Sequence, residues 1–179
     1  MKILNPSSTL PLESSITRQR VRDEPGPLTA HQAWEIVRTA ARALDPDARL
    51  TLLTSGLDIS PTGRSFTWEF GFELPQRRAA ALLSVEPSGE GEDIDSDPIM
   101  LVQRLGPGAT TEVSQRPALP EQFRDSPEVV ADLAAQGVDF TAGPSDMKLE
   151  GRVLPSGEAV WVTYYWDEQR TVPFVVLAR

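Results

Sequence analysis

Residues 66–73 read Phe66-Thr67-Trp68-Glu69-Phe70-Gly71-Phe72-Glu73. Aromatic residues alternate here with polar or small ones, and successive side chains on a strand point to opposite faces. A strand with one apolar face and one wet face belongs to an antiparallel sheet that is covered on one side only. Pro75-Gln76-Arg77-Arg78 then makes a turn, and Ala79 to Glu86 returns as the partner strand. Phe66, Trp68, Phe70 and Phe72 are therefore expected on one buried face.

Outward from this hairpin, the cover for that face comes first in the chain. Thr29 and Gln32 have the spacing of a capping box, and Ala30, Trp34, Val37, Ala41 and Leu44 recur at helical intervals. Asp45-Pro46-Asp47 ends this helix, because proline disfavours the helical conformation of the residue before it. A short strand at Leu50–Leu53 and a turn at Asp58–Gly63 lead into the aromatic strand. Ile99–Leu105 is a further strand, beyond an acidic loop.

A second cycle follows. Ser126 is expected as an N-cap, with Pro127 in the first turn, Val129, Val130 and Leu133 as the apolar stripe and Gly137 as the stop. Strands are expected at Met147–Leu154, Ala159–Trp166 and Thr171–Leu177. Each half carries a glycine shortly before a tryptophan, Gly63-x4-Trp68 and Gly157-x3-Trp161. The fold class expected is α+β, helices packed on antiparallel sheet, as a tandem repeat of an α-then-β-meander unit. The divisions are an extended or flexible N-terminal arm at 1–28, a first repeat at 29–105, a linker at 106–125 and a second repeat at 126–179.

On the residues Trp34 to Leu44, Gly63-x4-Trp68 and Gly157-x3-Trp161, each half resembles the PepSY-type unit. Two in tandem resemble the bacterial β-lactamase-inhibitor-type architecture. The resemblance implies a binding or inhibitory module without a catalytic centre.

Composition narrows the chemistry. The chain has 179 residues, 40% hydrophobic and 24% charged, the balance of an ordinary globular protein. It has no cysteine, which excludes disulfides, zinc ribbons, iron–sulfur clusters and thiol nucleophiles. Its formal charge of −9 repels phosphates and anionic lipid, so neither nucleic acid nor membrane is an expected partner. Lys2 and Lys148 are the only lysines among many arginines, a usage that points to a high-GC bacterial source. The first twenty residues hold no apolar run of signal-peptide length, and no stretch is long enough for a transmembrane helix. The expected location is cytoplasmic.

No cofactor and no metal is expected. His31 is the only histidine, in the first turn of a helix with no acidic partner near it in sequence, and it reads as a solvent-facing residue. Asp93-x-Asp95-x-Asp97 imitates the opening of a calcium loop, but Pro98 stands where the turn glycine belongs and Arg104 where the bidentate glutamate belongs. Gly106-Pro107-Gly108 lacks the lysine and hydroxyl residue of a phosphate loop. This stretch reads as a linker, and the acidic run before it as a solvated loop.

Val160-Trp161-Val162-Thr163-Tyr164-Tyr165-Trp166 is apolar or aromatic on both faces. Its second face needs a cover, either the N-terminal arm, the other repeat, or another molecule. Trp161, Tyr164 and Trp166 are the candidate contact residues for a protein partner or a homodimer mate, since Tyr and Trp dominate interface hot spots. The function expected is a non-enzymatic interaction or regulatory module using this aromatic sheet surface. The alternative is a small-molecule binder or enzyme with a pocket between helix and sheet.

Overall fold

The computed structural model describes residues 17–20, 26–87, 98–105, 115–141, 147–165 and 174–177. Eight strands form one sheet: β1 (Thr17–Arg20), β2 (Arg49–Ser55), β3 (Trp68–Leu74), β4 (Ala79–Pro87), β5 (Pro98–Arg104), β6 (Met147–Val153), β7 (Ala159–Tyr165) and β8 (Phe174–Val176). Among the described residues, the α-helices α1 (Ala30–Leu44) and α2 (Ser126–Ala135) precede β2 and β6. The strand order is β1-β5-β4-β3-β2-β6-β7-β8, and every strand pairing is antiparallel. The chain is α+β.

Two meanders thus run outward from a central seam between β2 and β6. The seam is narrow, with Leu53 opposite Gly151 and Thr54 opposite Glu150. Side-chain hydroxyls reinforce it. Ser55 Oγ accepts the Leu149 N–H at 2.9 Å, and Thr54 Oγ1 donates to the Leu149 carbonyl at 3.1 Å.

The aromatic alternation places Trp68, Phe70 and Phe72 against the helices, all three essentially fully buried. Trp34 of α1 packs on Phe70 and Phe72 at 5.8 and 6.0 Å between ring centroids. Phe66 departs from the expectation. The strand begins at Trp68, and Phe66 is half-buried in the preceding turn, where its N–H donates to Asp58 Oδ2 at 2.7 Å.

α1 starts with the full capping box, Thr29 Oγ1 accepting from Gln32 N and Gln32 Oε1 accepting from Thr29 N. In α2 the cap is Asp125 and not Ser126, which is the first helical residue and fully buried. One apolar core takes side chains from both halves.

Residues of the expected arm and of the expected linker take part in the fold. Thr17–Arg20, within the N-terminal arm, is strand β1 on the sheet edge, paired with β5. Within the expected linker, Leu119 and Phe123 are buried core residues, and Leu119 N donates to the Leu50 carbonyl at 2.7 Å. Proline and glycine content marked this stretch as a connection, but its two large apolar side chains find room in the core. Among the described residues, no helix is long and apolar enough to cross a membrane.

Candidate functional site

The two helix N-termini come together, and a single carboxylate serves both. Asp125 Oδ1 accepts the Ser126 N–H of its own helix and the His31 N–H of α1, each at 2.9 Å. Ser126 Oγ accepts the Ala30 N–H at 2.8 Å and donates to the Gly63 carbonyl at 2.6 Å. The first N–H groups of a helix lack intrahelical partners and carry partial positive charge, so a shared anion between two such ends is favourable.

This junction forms one end of a surface groove of about 720 Å³ between α1 and the segment that leads into α2. Trp34 and Phe123 lie at its floor, and the His31 ring packs on Phe123 with centroids 5.0 Å apart. Glu35 and Arg38 stand on the α1 wall; Glu121, Arg124, Asp125 and Glu128 stand on the other. Arg124 is mostly buried, 13% exposed, and its guanidinium meets Asp132 at 2.7 Å and Glu128 at 3.7 Å. Arg42 reaches across from α1 to Glu121, also at 2.7 Å.

His31, Asp125 and Ser126 are residue types that make a hydrolytic triad, and here they lie side by side. Their hydrogen bonds assign them otherwise. His31 Nε2 donates to the Phe123 carbonyl, away from Ser126, and Nδ1 is 3.9 Å from Asp125. The serine hydroxyl is fully buried and held by Gly63 and Ala30. A nucleophile must face its base and an open space for substrate. Ser126 faces neither.

His31 is about half exposed, as expected on a helix surface. Its acidic neighbour is supplied by the other half of the chain, which sequence spacing could not reveal. Nothing in the sequence singled out Glu121 or Glu128 either, since both stand outside any motif.

Of the three aromatic contact candidates, Trp161 is fully buried and so cannot offer its ring to a partner. Its indole N–H donates to the Arg124 carbonyl at 3.1 Å, and its ring meets Phe123 and Trp68 edge-on. The Tyr164 side chain and the whole of Trp166 lie outside the described residues. Val160 and Val162, on the face away from the helices, are 0% and 8% exposed. The acidic triplet Asp93, Asp95 and Asp97 and the glycines Gly106 and Gly108 also lie outside the described residues. Among the described residues no group of three metal-ligating side chains is assembled. The space between helices and sheet is filled by Trp34, Trp68, Phe70, Phe72 and Trp161, where the alternative reading would need a pocket.

Compared with protein families, curated proteins and solved structures, the chain matches none of them.

Proposed function

We propose that the chain is a non-enzymatic protein-interaction or regulatory module, and that the groove between α1 and Glu121–Glu128 is its contact surface. The observation that carries this reading is the division of labour around Asp125. Groups capable of chemistry are bound into the helix junction, whereas Glu35, Arg38, Glu121 and Glu128 stand 57%, 48%, 42% and 67% exposed at the mouth. Exposed charges at the rim of a groove between two elements suit recognition of another chain.

The second part of the proposal is that the two halves are a diverged duplication. In each, a tryptophan on the second strand donates to the carbonyl of the residue before the helix cap, Leu28 for Trp68 and Arg124 for Trp161. In each, that tryptophan lies between a small residue and a valine: Ser55 and Val85, or Gly151 and Val175. The helix-then-meander order is also that of the PepSY-type unit, whose binding role supports the interaction reading. Trp161 drops out of the expected aromatic surface, and Tyr164 and Trp166 remain its candidates.

A photo-crosslinking residue at position 35, with one at position 158 as the remote control, tests the reading in cells of the source organism. Adducts to a protein from position 35 alone are expected. Equal labelling from both positions, or none, would count against the groove. Stabilisation of the melt by small metabolites instead would favour the ligand-binding alternative.

A further inference from the structure

We infer that the groove receives a cationic segment of the partner, one that presents arginine or lysine side chains; this rests on the groove being the contact surface. The wall opposite α1 is acidic where solvent meets it. Glu121 and Glu128 are exposed there, while the one guanidinium on that wall, Arg124, is buried and already faces Asp132 and Glu128. Glu35 adds a third exposed carboxylate from the α1 side, where it pairs with the exposed Arg38 at 2.6 Å, so the lining holds four carboxylates against two guanidiniums.

At the edge of the groove the chain itself shows how a guanidinium meets this wall. Arg42 spans from α1 to Glu121, with its own side chain 61% exposed. An exposed ion pair of this kind contributes little to stability and is readily exchanged. Arg42 therefore acts as an internal stand-in that a partner's arginine displaces. Along the groove the half-exposed His31 ring packs on Phe123, and only the edges of the largely buried Trp34 and Phe123 rings reach the lining. The formal charge of −9 draws a basic segment toward the molecule before any contact forms.

The same face of α2 differs in kind. Where α1 carries Trp34, Glu35 and Arg38, the positions at equal distance from the cap of α2 are Val130, Ala131 and Ala134. The charged groove is thus a property of one half, not of the repeated unit.

A fluorescent peptide of four arginines spaced by glycine and serine, titrated by anisotropy against the full chain, tests the proposal. Binding should weaken about fivefold or more in Glu121→Gln/Glu128→Gln, as expected for loss of exposed ion pairs. It should strengthen about two- to threefold in Arg42→Ala, which frees Glu121 from its internal competitor. Glu73→Gln/Glu158→Gln makes the same change in net charge at residues that do not line the groove and should leave binding nearly unchanged. Circular dichroism controls for folding in each case. A remote variant that loses as much as the groove variant would reduce the effect to bulk charge and overturn the proposal. So would an Arg42→Ala variant that binds more weakly. If crosslinking at position 35 captures a partner whose contacting segment has no basic residue, the groove reading survives and the cationic partner does not.

Discussion

Trp68 and Trp161 meet edge to face at the centre of the core, with ring centroids 6.3 Å apart and planes at 74°. Each is completely buried, and each sends its indole N–H to a carbonyl just ahead of a helix, Leu28 at 2.9 Å and Arg124 at 3.1 Å. The pair therefore ties both sheet halves to both helix entries. Truncating either to Ala should cost about 3–5 kcal/mol, as for other large core aromatics. The double variant should lose less than the sum by about 0.5–1.5 kcal/mol, the extra energy of an aromatic pair. Chemical denaturation of the four proteins gives the coupling, and strict additivity would mean that the two rings act independently.

Asp125 caps two helices with one oxygen, so its loss should be felt twice. Asp125→Ala is expected to destabilise by about 2 kcal/mol, the sum of two ordinary N-cap losses. Asp125→Asn keeps an accepting oxygen and should retain most of that stability. If both variants melt together, it is the charge, and not the acceptor, that holds the two helix ends.

Gly63 and Gly157 look alike in sequence but should respond differently to a methyl group. Both have positive φ, +72° and +86°. A Cβ on Gly63 would lie 2.4 Å from Pro127 N, whereas one on Gly157 meets nothing within 4 Å. Gly157→Ala should cost only the backbone term, about 1–2 kcal/mol. Gly63→Ala should cost about 1–3 kcal/mol more, because it must push the start of α2 away. Equal melting temperatures for the two variants would contradict the close approach.

Thr163 occupies on β7 the position that Phe70 occupies on β3, two residues past the tryptophan, and its hydroxyl is buried with no hydrogen-bond partner among the described residues. An unpaired buried hydroxyl costs about 1–3 kcal/mol. Thr163→Val keeps the shape and removes the hydroxyl, so a gain of about 1 kcal/mol is expected, or about 2–4 °C in a melt of a chain this size. A lower melting temperature would show that the hydroxyl is satisfied in solution.

Ser55 holds the seam between the halves by accepting the Leu149 N–H. Ser55→Ala leaves that buried donor without its acceptor, at a cost of about 1–3 kcal/mol. The seam pairs only two residues from each strand, so the Leu149 amide should exchange with solvent much faster in the variant. Unchanged protection at Leu149 would mean that the strands hold without the serine.

The local elements were legible in the sequence because they obey local rules. The alternation of Trp68, Phe70 and Phe72 gave β3 its buried face, and the Thr29–Gln32 box marked the start of α1. The rules failed at their margins. Phe66 continues the alternation but leaves the strand, since the Asp58 carboxylate holds its backbone in a turn. Ser126 has the chemistry of a cap, yet the residue before it has the carboxylate that reaches two helices.

By itself, then, the sequence determined the α+β class, the order of helix and meander in each half, and the exclusion of cysteine chemistry. These depend on periodicity, caps and composition, all carried by neighbouring residues. Only the tertiary structure decided how the halves meet. Asp125 lies 94 positions from His31, and Glu121 lies 79 from Arg42; no local pattern relates residues so far apart. The groove, the shared cap and the tryptophan pair come from two helix ends and two meanders converging on one core, where packing and hydrogen-bond satisfaction select partners that sequence spacing cannot express.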